Sequence, residues 1–253
     1  MIDSTLLSAP VSGAKIIDGR AHAMRLRAGY RRQVDALRLQ GVSPSLAVIL
    51  VGTDAPSAVY VRNKVLACQE VGINSTVVEE PSSITLERMV KLIDSLNADP
   101  KIHGILIQLP LPPQIPLNSV LQRIAPDKDV DGFHLYNVGG LVVGSTVFSP
   151  CTPFGVRQLL EAEDSTVEGQ NVVVVGASNI VGKPTALMLM QQDATVCICH
   201  AKTRDLAQFT ILADLLGTWT SRPSEPELPI HNTIVAATRF SSGAAIVLAP
   251  KAH

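Results

Sequence analysis

Leu46-Ala47-Val48-Ile49-Leu50-Val51-Gly52 is a short apolar run that ends in a glycine and precedes a stretch with helical spacing. The run predicts a buried strand, and the residues from Ser57 onward predict a helix, in the order of a βα unit. Because positions three and four apart are neighbours on a helix, Ser57, Tyr60 and Lys64 are expected to share one face. Ligands of open α/β sheets bind at the carboxyl ends of strands, where this face is expected to lie.

The three polar groups expected on this face indicate a candidate catalytic site. A lysine ammonium with polar neighbours and apolar walls can exchange protons near neutral pH, so Lys64 is a candidate catalytic residue. The alternative is a surface lysine on an amphipathic helix beside the partly buried ring of Tyr60. The spacing by itself favours the surface lysine. Other segments of the sequence are needed to distinguish it from a catalytic lysine.

The composition indicates a globular protein that binds a small molecule. The chain has 253 residues, of which 46% are hydrophobic, enough for one large or two modest domains. The formal net charge of -1 gives no reason to expect nucleic acid or an anionic membrane as partner. No basic region precedes a long apolar run at the N-terminus, so a cytoplasmic protein is expected. Zinc-like spacing is absent, which predicts no metal site and free thiols at Cys68, Cys151, Cys197 and Cys199.

Apolar runs alternate with helix-period stretches, which predicts an α/β fold with a largely parallel sheet. The predicted helices cover 19–39, a segment closed near Gly72, 86–96, and a segment that follows Pro153 and runs to about Glu163. The predicted strands cover 46–51, 75–78, 102–109, 171–175 and 194–199. Residues 126–133 fit neither period and predict a loop. We divide the chain into domains at 1–148 and 149–216, followed by a tail at 217–253.

Residues 172–182, VVVVGASNIVG, predict a buried strand, a tight turn and the start of a helix. This is the setting of a phosphate-binding loop, because glycines let the backbone approach a pyrophosphate and the helix start favours negative charge. Ser178 and Val181 stand where the G-x-G-x-x-G pattern has its second and third glycines, so the motif itself is a weak match. An ordinary βα turn is an equally good interpretation.

The strand at 194–199 runs into His200-Ala201-Lys202-Thr203-Arg204. NAD-binding units usually place an acid here for the ribose hydroxyls, but none occurs before Asp205. Lys202 and Arg204 suit a 2′-phosphate better, which favours NADP. The alternative is a solvated basic turn.

Six segments resemble the FolD family, the bifunctional methylenetetrahydrofolate dehydrogenase/methenyltetrahydrofolate cyclohydrolases of one-carbon metabolism. The resemblance runs from about Ile16 to Asp214. The segments are IDG at 17–19, VG at 51–52 with Ser57, Tyr60 and Lys64, HGILIQLPLP at 103–112, DKDVDGF at 127–133, PCTP at 150–153 with Gly155, and 176–184. Each match has little weight alone, but their common order and spacing are specific.

The resemblance implies an N-terminal αβ folate-binding catalytic domain, a C-terminal Rossmann-like NAD(P)-binding domain, a cleft between them and a homodimer. It implies that the enzyme interconverts 5,10-methylenetetrahydrofolate, 5,10-methenyltetrahydrofolate and 10-formyltetrahydrofolate by NADP-dependent hydride transfer and ring hydrolysis. It further implies that Tyr60 stacks near the folate and Lys64 is the key catalytic residue. Gln108 is implied to tune or orient Lys64, and Asp131 to hydrogen-bond the pterin. The implied NADP-binding residues are Gly176, Ala177, Ser178, Ile180, Val181, Gly182, His200 and Lys202.

Structural alternatives exist for several of these residues. Gln108 could be a strand-end amide that satisfies a backbone group, and Asp131 a turn-forming aspartate before Gly132. The apolar stretch at 138–141 resembles the interdomain region of the family, although a packing role fits it better.

Two alanines depart from the family pattern in the nucleotide-binding half. The family generally has arginine where this chain has Ala177 and serine where it has Ala201, and both family residues are associated with the 2′-phosphate. Loss of a guanidinium removes a bidentate charged contact, and loss of a hydroxyl removes a further hydrogen bond. The departures weaken the expectation of NADP over NAD.

The chain departs further after Asp214, where LLGTWTSRP at 215–223 and the nearby Pro226 and Pro229 predict a loop. Residues 234–237 and 244–248 predict short strands. We interpret the C-terminal domain as incomplete and hypothesise that an altered reading frame, splice or rearrangement replaced its ending. An ordinary uninterrupted frame in the transcript of an active protein would contradict this.

An incomplete cofactor domain predicts poor stability and a dehydrogenase activity damaged more than the cyclohydrolase activity. One alternative function is therefore a folate-binding remnant with impaired dehydrogenase activity. Another is an unrelated Rossmann dehydrogenase for an amino or hydroxy acid, which would leave the segments at 103–112 and 127–133 unexplained.

Overall fold

The structure is a computed structural model and describes residues 15–163, 165–218, 234–238 and 246–248. Residues 23–151 form one compact unit, here called the first unit. The described residues before 23 and after 151 form the second unit. The domain limits at 148 and 216 remain predictions.

The described strands belong to two sheets, one of three strands and one of six. In chain order the strands are β1 (Lys15–Ile16), β2 (Ser45–Val51), β3 (Asn74–Glu80), β4 (Gly104–Ile107), β5 (Asn171–Val175), β6 (Thr195–Cys199), β7 (Leu215–Thr218), β8 (Ile234–Thr238) and β9 (Ile246–Leu248).

The described helices mostly follow strands, as βα units require. In chain order they are α1 (Gly19–Leu39), α2 (Ala55–Val71), α3 (Leu86–Ala98), α4 (Leu117–Leu121), α5 (Leu135–Val143), α6 (Cys151–Ala162), α7 (Gly182–Met190) and α8 (Leu206–Thr210).

The sheet of the first unit has the order β3-β2-β4, with all pairs parallel. Alternation along β2 sends Ala47 and Ile49 into an apolar cluster that contains Met89 of α3. The same alternation sends Val48 into a second cluster with Val61 of α2. Because both faces of this central strand are covered, nearly all of its residues are apolar. The sequence of β2 is therefore a continuous apolar run.

The sheet of the second unit has the order β1-β9-β8-β7-β5-β6. β5 pairs in parallel with β6 and β7, whereas β8 is antiparallel to both β7 and β9. Val172 and Val174 pack with Leu160 of α6 and Leu189 of α7 on one face of the sheet. Val173 packs with buried Cys199 in a separate cluster. The α/β fold class and the Rossmann-like second half are confirmed.

The structure corrects the interpretation of residues 215–218 as a loop. They form β7, which pairs with β5 from Val172 opposite Leu215 to Val175 opposite Thr218. The predicted strands near 234–237 and 244–248 correspond to β8 and β9. The remaining tail positions, 219–233, 239–245 and 249–253, lie outside the described residues.

Three short helices were not predicted, namely α4, α5 and α8. The apolar stretch at 138–141 lies inside α5, where Asn137, Gly140 and Leu141 are buried. With only nine residues and two glycines, this segment has too little helical period for sequence-based detection.

Candidate active site and nucleotide loop

Asp54 caps the helix that carries the first candidate residues. Its Oδ2 accepts hydrogen bonds from the backbone N–H of Ser57 at 2.9 Å and from the Ser57 hydroxyl at 2.6 Å. These bonds hold the pKa of the Asp54 carboxyl below its usual value. Ser57 is buried and bonded to the cap, so its hydroxyl stabilises the helix start. α2 ends at Gly72, which takes the left-handed conformation that favours glycine.

Tyr60 and Lys64 lie one turn apart on α2, as the spacing predicted. The Tyr60 residue is 37% exposed, whereas Lys64 is partly buried. An exposed aromatic ring beside a partly buried ammonium offers a stacking surface next to a charged group.

Lys64 contacts Gln108 directly. Its Nζ donates a hydrogen bond to Oε1 of Gln108 at 3.1 Å. Gln108 follows β4, and its backbone N–H donates to the carbonyl of Ile49 in β2 at 2.9 Å. Its Nε2 donates to the carbonyl of Leu109 at 2.8 Å, which leaves Oε1 facing the lysine. The structural alternative for Gln108 therefore also holds, because one end of the amide satisfies a backbone group and the other end holds Lys64.

Asp131 has the most perturbed carboxyl of this region. Burial raises its pKa from 3.8 to about 6, the positive charge of Lys64 lowers it, and the negative charge of Asp129 raises it. Gly132 follows with φ of 70°, and a Cβ there would come within 2.7 Å of the Pro150 backbone nitrogen. The loop turns tightly at this glycine, so Asp131 also has the turn-forming position of its structural alternative.

Cys151 lies beside the same charges. Its thiol donates to the carbonyl of Val130 at 3.2 Å. Desolvation and the charge of Asp131 raise the pKa of the thiol to about 11, against the opposing effect of Lys64. Although part of the residue is exposed, the sulfur is a protonated donor at neutral pH and not a thiolate nucleophile.

Two buried polar residues near this site, Asp129 and Asn137, were not predicted as site residues from the sequence. Asp129 is 1% exposed and Asn137 is 0% exposed, and they are hydrogen-bonded to each other at 2.9 Å. The only sequence signal was that Asp129 belongs to the charged turn at 127–133. Nothing in the local pattern distinguishes a buried asparagine in a short helix from an exposed one.

The turn between β5 and α7 brings the backbone of the helix start close to the strand end. Gly176 has φ of 131°, and its N–H donates to the carbonyl of Cys199 at 2.9 Å. A Cβ on Gly182 would lie only 1.6 Å from the carbonyl oxygen of Gly176. Only glycine is compatible with this approach, which is the close strand–helix packing that dinucleotide-binding turns require. The turn therefore fits a pyrophosphate.

Ser178, which occupies the position of a motif glycine, has a structural role in this turn. Its hydroxyl oxygen accepts from the backbone N–H of Val181 at 3.1 Å and from that of Gly182 at 3.2 Å. Val181 is buried, whereas Ile180 is 38% exposed. The serine replaces a glycine without opening the turn, because its side chain satisfies amides at the helix start.

His200 and Lys202 lie at the same sheet edge as Gly176, because Cys199 pairs with Val175 in the parallel register. His200 Nδ1 accepts from the backbone N–H of Lys202 at 3.2 Å. Both residues and Ala201 between them are exposed. A basic turn and a glycine turn thus meet at one edge, as a dinucleotide site requires.

The described part of the chain shows neither a metal-binding cluster nor a membrane-spanning helix. Among the residues that the structure describes, no group of three or more His, Cys, Asp or Glu side chains is arranged to hold a metal ion. Within the same described ranges, every helix is too short or too polar to cross a membrane.

Family models match both units. Residues 17–131 match the tetrahydrofolate dehydrogenase/cyclohydrolase catalytic domain. Residues 150–224 match the NAD(P)-binding domain of the same family. The second match passes Asp214, where the resemblance was expected to end, so this expectation was wrong for residues 215–224.

Relatives and solved structures agree with these matches. The bifunctional protein FolD of Bordetella petrii is 53% identical over 212 residues, which cover 84% of this chain and 72% of the relative. The bifunctional protein FolD of Paraburkholderia xenovorans is 47% identical over 234 residues, covering 92% of this chain and 79% of the relative.

Among solved structures, the bifunctional FolD dehydrogenase/cyclohydrolase of Campylobacter jejuni superposes with a TM-score of 0.83 at 38% identity, covering 93% of this chain and 91% of that one. The Trypanosoma brucei FolD enzyme, solved with NADP and an inhibitor, gives a TM-score of 0.79 at 34% identity, covering 83% of this chain and 73% of that one. The chain belongs to the tetrahydrofolate dehydrogenase/cyclohydrolase family, whose bifunctional members are called FolD.

Proposed function

We propose that this chain interconverts 5,10-methylenetetrahydrofolate, 5,10-methenyltetrahydrofolate and 10-formyltetrahydrofolate in one-carbon metabolism, with Lys64 as the proton-handling residue. The observation that carries the proposal is the hydrogen bond from Lys64 Nζ to Gln108 Oε1, at 3.1 Å and within range of the charge of Asp131. A lysine held by a neutral amide and faced by a carboxyl is suited to accept and return a proton.

The dehydrogenase step needs alignment more than acid–base chemistry. NADP, when bound, supplies the hydride acceptor for the methylene carbon of the substrate. The ring of Tyr60 offers a surface on which the folate can stack, and Asp131 offers a carboxyl that can hydrogen-bond the pterin. The glycine turn at Gly176 and Gly182, together with Ala177, Ser178, Ile180, Val181, His200 and Lys202, would hold the nucleotide.

The cyclohydrolase step moves protons at the methenyl carbon. Water adds to this cationic carbon, and the neutral amine form of Lys64 takes a proton from the adding water. The same nitrogen returns that proton to the ring nitrogen that leaves, and the remaining hydroxyl proton is released as the carbonyl forms. The net change is the uptake of one water and the release of one proton, which gives 10-formyltetrahydrofolate. Gln108 keeps Nζ in place through both transfers, because its own Nε2 is tied to the carbonyl of Leu109.

The test measures both activities in the wild type, Lys64→Met and Lys91→Met. Loss of the methenyltetrahydrofolate absorbance band reports the cyclohydrolase, and NADPH formation reports the dehydrogenase. Lys91→Met is the matched control, because Lys91 is an exposed lysine of the same unit whose Nζ contacts Glu87. We expect Lys64→Met to lower cyclohydrolase kcat by about 10²- to 10⁴-fold, with the control unchanged. Full cyclohydrolase activity in Lys64→Met would refute the assigned role.

The proposal includes a cytoplasmic homodimer that supplies one-carbon units for purine biosynthesis, with domains at 1–148 and 149–216 and a tail at 217–253. The family resemblance supports these points. Light scattering of the purified chain would test the dimer, and cell fractionation would test the location. No observation favours the alternative of a dehydrogenase-impaired remnant.

A further inference from the structure

The loop that carries Asp131 is fixed by a buried carboxylate to which the proposed function gives no role. This carboxylate belongs to Asp129, which is 1% exposed and lies two positions before Asp131. Its Oδ2 accepts a hydrogen bond from the backbone N–H of His134 at 2.8 Å and another from Nδ2 of Asn137 at 2.9 Å. His134 is the N-cap residue of α5, so the carboxylate lies at the positive end of that helix.

Asn137 extends this anchor to both ends of the loop. Its Nδ2 also donates to the carbonyl of Pro126 at 3.0 Å, before the loop. Its Oδ1 accepts from the backbone N–H of Phe148 at 3.3 Å, in the segment that packs against Gly132. Asp129 and Asn137 together therefore form a buried network that spans the loop.

Lys128 anchors the loop on its other side. Its Nζ donates to three carbonyl groups at the end of α3, those of Leu96, Asn97 and Asp99, at 3.2, 2.7 and 2.9 Å. Its own carbonyl accepts from the backbone N–H of Ile105 in β4 at 2.7 Å. Adjacent residues of opposite charge thus tie the loop to α3 and α5, two different helices.

Three groups act on the Asp131 carboxyl or lie beside it. Lys64 of α2 supplies a positive charge that favours ionisation of Asp131. Asp129 supplies a negative charge that opposes it. The same charges act on the thiol of Cys151 at the start of α6, whose raised pKa keeps it protonated. Burial is the largest cause of the raised pKa of Asp131, and within this set of groups the charge of Asp129 adds to it.

We propose that Asp129 is a positioning residue: its buried carboxylate ties the Asp131 loop to the start of α5 and holds a second negative charge beside Asp131. The inference rests on the proposed function for its catalytic meaning, because Asp131 is the residue assigned to the pterin. Asp129 itself contacts backbone and Asn137, and acts only through the loop and its charge.

Replacing Asp129 by asparagine removes the negative charge and keeps an oxygen that can accept the same hydrogen bonds. Both hydrogen bonds reach the same oxygen, Oδ2, so the carbonyl oxygen of Asp129→Asn can accept both while the negative charge is lost. Asp129→Ala loses the charge and the anchor together. Asp127→Asn is the matched control, since Asp127 is an exposed aspartate of the same loop.

The direct test follows the Asp131 carboxyl by ¹³C NMR across pH in protein labelled at aspartate, with Asp131→Asn to assign the signal. The titration midpoint in the wild type is expected at about 6. We expect Asp129→Asn to lower this midpoint by about half a unit or more and Asp127→Asn to leave it unchanged. An unmoved midpoint in Asp129→Asn would overturn the electrostatic part of the proposal.

Kinetics test the positioning part. We expect Asp129→Asn to keep KM for the folate close to the wild type, because the asparagine oxygen can accept both hydrogen bonds of the anchor. Asp129→Ala should instead raise KM for the folate by about 10-fold or more, with folding checked by denaturant unfolding. Wild-type KM in Asp129→Ala would refute the anchoring role. A wild type without turnover would refute the proposed function, while the NMR midpoints would still decide whether Asp129 acts on Asp131.

Discussion

Lys64 Nζ and Gln108 Oε1 lie 3.1 Å apart although 44 positions separate the two residues in the sequence. The contact arises because β2 and β4 pair in parallel, so that α2 begins and Gln108 follows at the same edge of the sheet. A neutral acceptor holds the lysine in place and adds no charge of its own. The position of the Lys64 ammonium therefore depends on an amide supplied by the neighbouring strand.

Replacing this amide should impair catalysis more than folding. In Gln108→Leu the lysine loses its acceptor, and we expect cyclohydrolase kcat to fall by about 10²-fold while the folate KM changes less. Steady-state kinetics with methenyltetrahydrofolate measure both constants. Gln114→Leu is the control, because Gln114 is an exposed amide of the same unit that binds the carbonyl of Ser82. An equal loss in both variants would show that the effect is not specific to the lysine contact.

The raised pKa of Asp131 predicts a pH-dependent cost to stability. Between pH 4 and 6 the unfolded chain releases the proton of this carboxyl while the folded chain keeps it, because burial raises the folded pKa from 3.8 to about 6. The folded state then binds more protons, so the free energy of unfolding falls as pH rises through this window and stays lower above it. The full effect is about 3 kcal/mol for a shift of roughly two units.

Asp131→Asn should remove this pH dependence. We expect the variant to gain stability relative to the wild type as pH rises from 4 to 7, measured by urea unfolding at each pH. Asp127→Asn serves as the control for loss of an exposed charge in the same loop. A constant difference between Asp131→Asn and the wild type over this range would contradict the assignment.

The close approach at Gly182 predicts that the two activities can be separated. A Cβ at this position would meet the carbonyl oxygen of Gly176 at 1.6 Å, so Gly182→Ala should distort the nucleotide turn and abolish NADP-dependent hydride transfer. Lys64, Gln108 and Asp131 lie in the other unit, so the cyclohydrolase activity should be mostly retained. Assays of both activities on one preparation measure the ratio of dehydrogenase to cyclohydrolase activity.

Gly155→Ala is the matched control in the same unit, because a Cβ there has no neighbour within 4 Å. This glycine lies inside α6, so alanine should stabilise the protein by about 0.5–1 kcal/mol. Retained dehydrogenase activity in Gly182→Ala would show that the turn adapts to a side chain.

Ala177 predicts a way to strengthen the preference for NADP. It is partly buried in the turn that follows β5, at the position where the family generally has arginine. Ala177→Arg should restore a bidentate charged contact to the 2′-phosphate and lower KM for NADP by about 10-fold, with little change for NAD. Dehydrogenase kinetics with both cofactors give the ratio of the KM values for NADP and NAD. Ala177→Met controls for the size of the side chain. An equal effect of arginine and methionine would exclude the charge as the cause.

The Asp54 cap predicts a contribution to the stability of α2. Asp54→Ala should lower the free energy of unfolding by about 1 kcal/mol, whereas Asp54→Asn keeps an acceptor and should lose less. Since hydrogen bonds from Ser57 lower the pKa of Asp54, the contribution is present above its unfolded pKa and is lost as pH falls through the folded one. Chemical denaturation at pH 7 and pH 3 measures the free energy of unfolding of both variants. An equal loss of stability in Asp54→Ala and Asp54→Asn at pH 7 would show that the side-chain acceptor does not stabilise the helix.

Local signals in the sequence were enough to predict several elements and to identify the family. The helix at Gly19–Leu39 and the strand at 46–51 were predicted because apolar periodicity, glycine stops and proline are local signals. The ordered motifs around Tyr60, Lys64, Gln108 and Asp131 identified the family, which the comparisons confirm. Local spacing also placed Tyr60 and Lys64 on one helical face.

The remaining features arise from contacts that form only in the folded chain. Residues 215–218 were interpreted as a loop because LLGT has no strand signal of its own, yet hydrogen bonding to β5 makes them a strand. The burial of Asp129, the contact of Lys64 with Gln108 and the raised pKa of Asp131 all depend on residues distant in sequence. Such properties come from strand register and desolvation, which exist only once the chain has folded.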